Sequence, residues 1–147
     1  MEIAIIAEDT KKELMTQFCI AYCGILGRHN LCATEITGRY IAEATGLSID
    51  SLLPGDIGGL EQILSRITYN EIDMLLYFRD SVGDDDEPKA ETARMILREC
   101  DIQNVPVATN IATAEVLVLA LENGSLDWRE IVNPRSEYNR RRRGQNG

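Results

Sequence analysis

Short apolar runs alternate along this chain with longer stretches whose apolar residues recur every three to four positions. The run Glu2–Ala7 is almost continuously apolar, which predicts a strand covered on both faces. Residues 30–34 predict a second strand, 49–53 a weak third, 73–78 a buried fourth and 105–109 a fifth. Between the first two, Leu14, Phe18, Ala21, Tyr22 and Ile25 fall at helical spacing, with Asp9 and Thr10 placed to cap their helix. A second helix opens at Thr37-Gly38 and ends near Gly46, and a third carries Leu60, Ile63, Leu64 and Ile67 on one side. After an acidic loop at 81–87, Pro88 is suited to start a helix that runs to Cys100. Residues 112–121 form the last clear helix, closed by Asn123-Gly124.

Strands that alternate with helices imply right-handed parallel crossovers and a sheet covered on both sides. The expected fold class is therefore α/β: one three-layer αβα sandwich around a mostly parallel five-stranded sheet, occupying residues 1–133. One sequence does not order the strands. The basic segment 134–147 is expected to be a disordered tail.

Composition narrows the function classes. A chain of 147 residues suffices for one self-supporting core. No segment approaches the roughly 20 apolar residues of a bilayer crossing, and the opening residues read as a core strand and not as a leader. A cytoplasmic protein without membrane contact is expected. Cys19 and Cys23 stand at i,i+4, but no second pair or histidine completes a zinc site, so buried reduced thiols are expected, with no metal and no cofactor. The formal charge of −9 is uneven, because the last fourteen residues hold five arginines and one acid. Without them the 15 basic and 24 acidic groups become 10 and 23, a net of −13 for the body. Such a body repels polyanions, so a nucleic-acid-binding core is not expected. The Arg140–Arg143 run reads first as a solubilising tail, with contact to a phosphate, a nucleic acid or an acidic neighbouring subunit left open.

Open α/β sheets bind ligands beyond the carboxyl ends of their strands. That rule selects Glu8 to Lys12, Thr34 to Gly38, Pro54 to Gly59, Arg79-Asp80 and Thr109-Asn110 as the rim. The glycine-rich turn Pro54–Gly59 entering a helix suits an anion, although glycines close many ordinary turns.

These segments, in this order, resemble the methylglyoxal synthase family from Ile3 to about Ile131. The resemblance rests on Ile3-Ala4-Ile5-Ile6-Ala7-x-Asp9, Ala33-Thr34-x-x-Thr37-Gly38, Glu43-Ala44-Thr45-Gly46-Leu47, Gly58-Gly59-x-x-Gln62, Phe78-Arg79-Asp80 and the run from Pro106 to Glu115. It implies a doubly wound parallel sheet, a homohexamer, and an enzyme that removes a proton next to the carbonyl of dihydroxyacetone phosphate and expels phosphate. That chemistry needs a carboxylate base, donors for the developing oxyanion and a phosphate cradle.

Carried over position by position, the resemblance implies altered chemistry. The family's Gly-Gly-Asp-Gln-Gln supplies the base, and here the stretch is Gly58-Gly59-Leu60-Glu61-Gln62, which puts Leu60 in the base position. The His-Asp pair after the first strand is Glu8-Asp9, and the histidine before Glu-Pro aligns with Asp86, across an apparent two-residue insertion. In the cradle, Thr-Gly-Thr-Thr-Gly becomes Thr34-Glu35-Ile36-Thr37-Gly38, and Ser-Gly becomes Pro54-Gly55. Lys12, Thr34, Thr37, Gly55, Asp9 and Asp80 match the family pattern.

Each departure has an ordinary explanation: Leu60 extends the stripe of Ile63 and Ile67, and the new acids are solvated loop residues. Together they point elsewhere, because a hydrocarbon takes no proton and a carboxylate opposes an ene-diolate. Two like charges about 4 Å apart at an effective dielectric of about 20 repel by about 4 kcal/mol, roughly a thousandfold in rate. The leading expectation is a synthase-like protein of little or no synthase activity that keeps a weak phosphate or small-anion site. One alternative is an active synthase using Glu61 or Asp56 as base. Another is a silent subunit that partners an active synthase. His29, the sole histidine, falls before the second strand, at the wrong end of the sheet for catalysis.

Overall fold

The computed structural model describes the backbone of residues 1–80 and 87–146, and the side chains of 1–80 and 90–145. Its centre is a five-stranded, fully parallel sheet in the order β3-β2-β1-β4-β5. The strands are β1 (Glu2–Ala7), β2 (Asn30–Ala33), β3 (Ile49–Ser51), β4 (Met74–Phe78) and β5 (Val107–Ala108). The helices are α1 (Lys12–Ala21), α2 (Cys23–Leu26), α3 (Glu35–Thr45), α4 (Leu60–Thr68), α5 (Glu87–Gln103), α6 (Ile111–Glu122), α7 (Arg129–Val132) and α8 (Glu137–Asn146).

The unbroken apolar run of β1 is explained by two cores, one on each face. Ile3, Ile5 and Ala7 point to the side covered by Met15 and Phe18 of α1, Ile41 of α3 and Val118 of α6. Ala4 and Ile6 point to the other, against Ile63 and Ile67 of α4 and Ile96 and Cys100 of α5. The expected three-layer αβα sandwich is thus present, with the central strand buried from Ile3 to Ala7.

Local chemistry moves several boundaries. The first helix breaks at Tyr22, whose backbone leaves helical geometry, and resumes as α2. Asp9 and Thr10 do not cap α1; they form a single 3₁₀ turn, Asp9–Lys11, and their side chains bond to Lys12 and Asp80. β3 stops early because the Leu53 amide donates to Gln62 Oε1 (2.8 Å). β5 is short because Pro106 has no amide to give, and only its carbonyl pairs, with Leu75 N at 3.0 Å.

The amino-terminal ends of the strands are pinned by a buried ion pair. Arg129 on α7 is 0% exposed, and its Nε donates to Asp73 Oδ1 at 3.1 Å. The other guanidinium nitrogens donate to the carbonyls of Gln103 and Ile72 and to Asn70 Oδ1. Asp73 also accepts from Asn133 Nδ2 (2.9 Å) and from Glu2 N (2.8 Å). Nothing in the sequence reading marked this cluster.

The tail departs from the expected disorder, since residues 137–146 are helical. Ser136 Oγ accepts from Asn139 N (3.1 Å) as an N-cap, and Glu137 pairs with Arg141 one turn on. Asn139 Nδ2 donates to the carbonyls of Glu130, Ile131 and Asn133, tying the helix start to α7.

Candidate functional site

The strand order reverses direction between β1 and β4, and the residues leaving those two strands meet in a cleft, as the switch-point rule requires. Glu8 stitches the exits together. Its amide donates to Phe78 O (2.9 Å), its Oε2 accepts from Asp80 N (2.8 Å), and its Oε1 lies 3.7 Å from Arg79 Nε. Thr10 donates its hydroxyl to Asp80 Oδ1. Lys12, on the first turn of α1, donates Nζ to Ala7 O and to Asp9 Oδ1, both at 2.9 Å.

The opposite wall comes from the exits of β2 and β3. Thr34 is the extended residue before α3, and its carbonyl accepts from Gly38 N (2.9 Å). The turn Gly55–Gly59 then folds tightly on its own entry: the amides of Ile57 and Gly59 both donate to Pro54 O, at 3.0 and 2.9 Å. Gly58 has φ 104°, and a Cβ on Gly59 would stand 2.1 Å from the Leu53 carbonyl oxygen. Both glycines are therefore dictated by this turn, which delivers Leu60 as the first residue of α4.

Leu60 is 8% exposed, and the part of it that is not covered lines the cleft. A Cβ on Gly55 would lie 4.0 Å from Leu60 Cγ and 3.9 Å from Thr34 Cγ2, so these three residues form one surface. The cleft has a volume of about 370 Å³. Its lining brings together Glu8, Asp9, Lys12, Asp80, Thr34, Ile36, Gly55 and Leu60 from the expected site, with Asp56 and Arg79.

Four expected residues do not line it. Glu61 is exposed on the first turn of α4, Glu35 is exposed on that of α3, and Pro54 supports the turn through its carbonyl. Thr37 is buried, and its hydroxyl has no partner among the described residues. Asp86 lies outside the described residues.

Ile6, Ala7, Tyr77, Ala90 and Ala93 also line the cleft, beyond the residues expected from the sequence. Tyr77 was within reach of that expectation, because period-two alternation places Tyr77 one rung below Arg79 on the same face of β4. Burial, reinforced by the Glu8 carboxylate, pushes the Tyr77 hydroxyl up to about 12, so it stays protonated at neutral pH. The thiols of Cys19, Cys32 and Cys100 are likewise raised, to about 12, about 11 and about 12, and burial is the principal cause. They are core groups and not nucleophiles.

The comparisons with known proteins agree with this geometry. No family model matches the chain. The methylglyoxal synthase of Caldicellulosiruptor saccharolyticus is 54% identical over 140 residues, covering 95% of this chain and 98% of that protein. The methylglyoxal synthase of a Thermoanaerobacter species is 50% identical over 131 residues, 89% of this chain and 98% of its own. The crystal structure of methylglyoxal synthase from Elizabethkingia anophelis NUHP1 superposes with a TM-score of 0.71 at 32% identity, over 80% of this chain and 76% of that one. Identity of this extent over nearly the full length of both chains, on the same parallel αβα sandwich, means that the chain belongs to the methylglyoxal synthase family.

Proposed function

We propose that this family member has little or no synthase activity and that its cleft holds a small ligand without turning it over. The observation that carries the reading is Leu60: at the position the motif assigns to the base, a hydrocarbon side chain faces Thr34 and Gly55 in the cleft. It accepts no proton. Three of the four acids that line the cleft are engaged in holding the site together, Glu8 by the Asp80 amide, Asp9 by Lys12 and Asp80 by Thr10. Glu61 is on the wrong side of α4 to replace Leu60, as a turn of about 100° per residue requires.

The experiment is incubation of the purified protein with dihydroxyacetone phosphate, reading methylglyoxal and free phosphate. The expected result is no formation above the enzyme-free rate. Inorganic phosphate is expected to bind weakly, because Glu8 stands in the cleft and Glu35 at the start of α3 opposes Lys12.

A second reading is favoured by one specific observation. Asp56 lines the cleft, on the glycine turn, and has no hydrogen-bond or ionic partner among the described residues. An active synthase would use it as base, and turnover abolished by Asp56→Asn would establish that reading. Assembly with other copies, or with an active synthase as a silent subunit, belongs to the same proposal. α6 is apolar except at Thr113, Glu115 and Glu122, and Val116 and Leu119 face outward at 65% and 53% exposure, as a helix covered in an oligomer would. No described helix is long and apolar enough to cross a membrane, and we assign the protein to the cytoplasm.

A further inference from the structure

The departures in the cleft alter its charge as well as its chemistry. Among the described residues it is lined by four carboxylates, Glu8, Asp9, Asp56 and Asp80, and two cations, Lys12 and Arg79. Both cations are already engaged inside the protein. Lys12 donates to Asp9 and to the Ala7 carbonyl, while Arg79 stands 3.7 Å from Glu8 and over the Tyr77 ring at 5.7 Å. Among the described residues Asp56 has no partner, and the Asp80 carboxylate meets a neutral hydroxyl. The unmatched charge that a ligand would meet is therefore negative.

An excess of acids alone would mean little on a surface, but a second feature faces the same space. Thr34 is 6% exposed and lines the cleft, and its side chain makes no capping bond to α3 and has no hydrogen-bond partner among the described residues. That hydroxyl is reached by solvent, unlike the fully buried hydroxyl of Thr37, and can accept from a ligand or a water in the cleft. Beside it the wall is hydrocarbon, from Leu60 and Ile36. Acid, hydroxyl and hydrocarbon side by side specify a ligand with a donating positive head and a short apolar body.

We propose that this cleft binds a small organic cation, an ammonium or guanidinium group on a short aliphatic chain. The head lies near Asp56 and donates to the Thr34 hydroxyl, and the chain lies on Leu60 and Ile36. The volume of about 370 Å³ falls at the small end of ligand sites, which suits a compact amine. The inference rests on the reading in which synthase chemistry has been lost, since it gives the phosphate cradle to a ligand of opposite charge.

The test is titration of the isotope-labelled protein with n-butylammonium, n-butanol and n-butyl phosphate, following the amide signals of Thr34 and Gly55. Butylammonium is expected to give saturable shifts with an affinity about tenfold or more above that of the neutral butanol, and butyl phosphate to bind more weakly than either. Asp56→Asn is expected to lower butylammonium affinity about tenfold and to leave butanol unchanged. Butyl phosphate binding more tightly than butylammonium, or butylammonium no better than butanol, would overturn the proposal, and both are read on the unaltered protein. Turnover of dihydroxyacetone phosphate would remove the parent reading as well. Absent turnover together with a preference for butyl phosphate would remove this inference alone.

Discussion

The two ends of the sheet solve opposite problems. At the amino-terminal end, Arg129 and Asp73 are buried, and besides their mutual bond each remaining guanidinium nitrogen reaches a backbone or amide oxygen while Asp73 accepts from Glu2 N and Asn133. At the carboxyl end, among the described residues, Asp56 is unmatched, Thr34 keeps a spare hydroxyl and Leu60 offers hydrocarbon to the cleft. A buried ion pair is tolerated only when fully satisfied, whereas an open cleft can hold unmatched groups because water or a ligand completes them. The first end keeps the fold, and the second is free to change without endangering it. In the proposed reading, this contrast lets the chain retain the family architecture while its site chemistry changes.

The largest effect that would test this contrast is expected at the pin. Arg129→Met leaves the Asp73 charge buried and alone, and should lower unfolding free energy by about 3–5 kcal/mol in urea titration. A loss below about 1 kcal/mol would mean that the pin is not what holds the strand ends. At the other end, Leu60→Asp with Glu8→His should cost less stability, about 2–3 kcal/mol from the lost burial of Leu60, and should raise methylglyoxal formation at least about tenfold over the unaltered protein. A smaller effect is expected from Glu35→Gln, which removes an exposed acid from the first turn of α3. Phosphate affinity measured by calorimetry should rise about two- to fivefold at low salt, and the gain should fade as salt is added.

The smallest effect belongs to His29, which faces the amino terminus at 2.9 Å through Nδ1. Burial, then the terminal ammonium, lowers its pKa below the ordinary 6.5. The folded protein therefore favours neutral His29. Its contribution to stability is complete above about pH 6.5 and is lost as pH falls through the lower folded value. His29→Gln should flatten the fall in stability over that acidic window and leave it unchanged at pH 8.

Much of this molecule was legible before its structure. Continuous apolar runs gave β1 and β4, helical spacing gave α1, α3 and α4, and the switch-point rule placed the cleft at the right strand ends. The rest was hidden for definite reasons. Asp73 and Arg129 are 56 positions apart, and no local pattern announces that they meet. The break at Tyr22 and the shortness of β5 depend on what the backbone groups find to bond with, not on hydropathy. The tail is basic enough to read as disordered, but Ser136, Glu137 and Asn139 supply a cap, an ion pair and an anchor that start a helix. Glu61 was the first candidate for a substitute base in the sequence, and Asp56 the second. Only the turn at Gly55–Gly59 separates them, by bringing Asp56 to the cleft and turning Glu61 away from it.

The proposed loss of a proton acceptor at Leu60 is tested most directly at the proton itself. In deuterated water, NMR of dihydroxyacetone phosphate incubated with the unaltered protein follows exchange of the hydrogens next to the carbonyl, whether or not phosphate is later expelled. Exchange no faster than in the enzyme-free buffer is the predicted result. Stereoselective exchange that disappears on Asp56→Asn would contradict it and mean that the site still takes the proton.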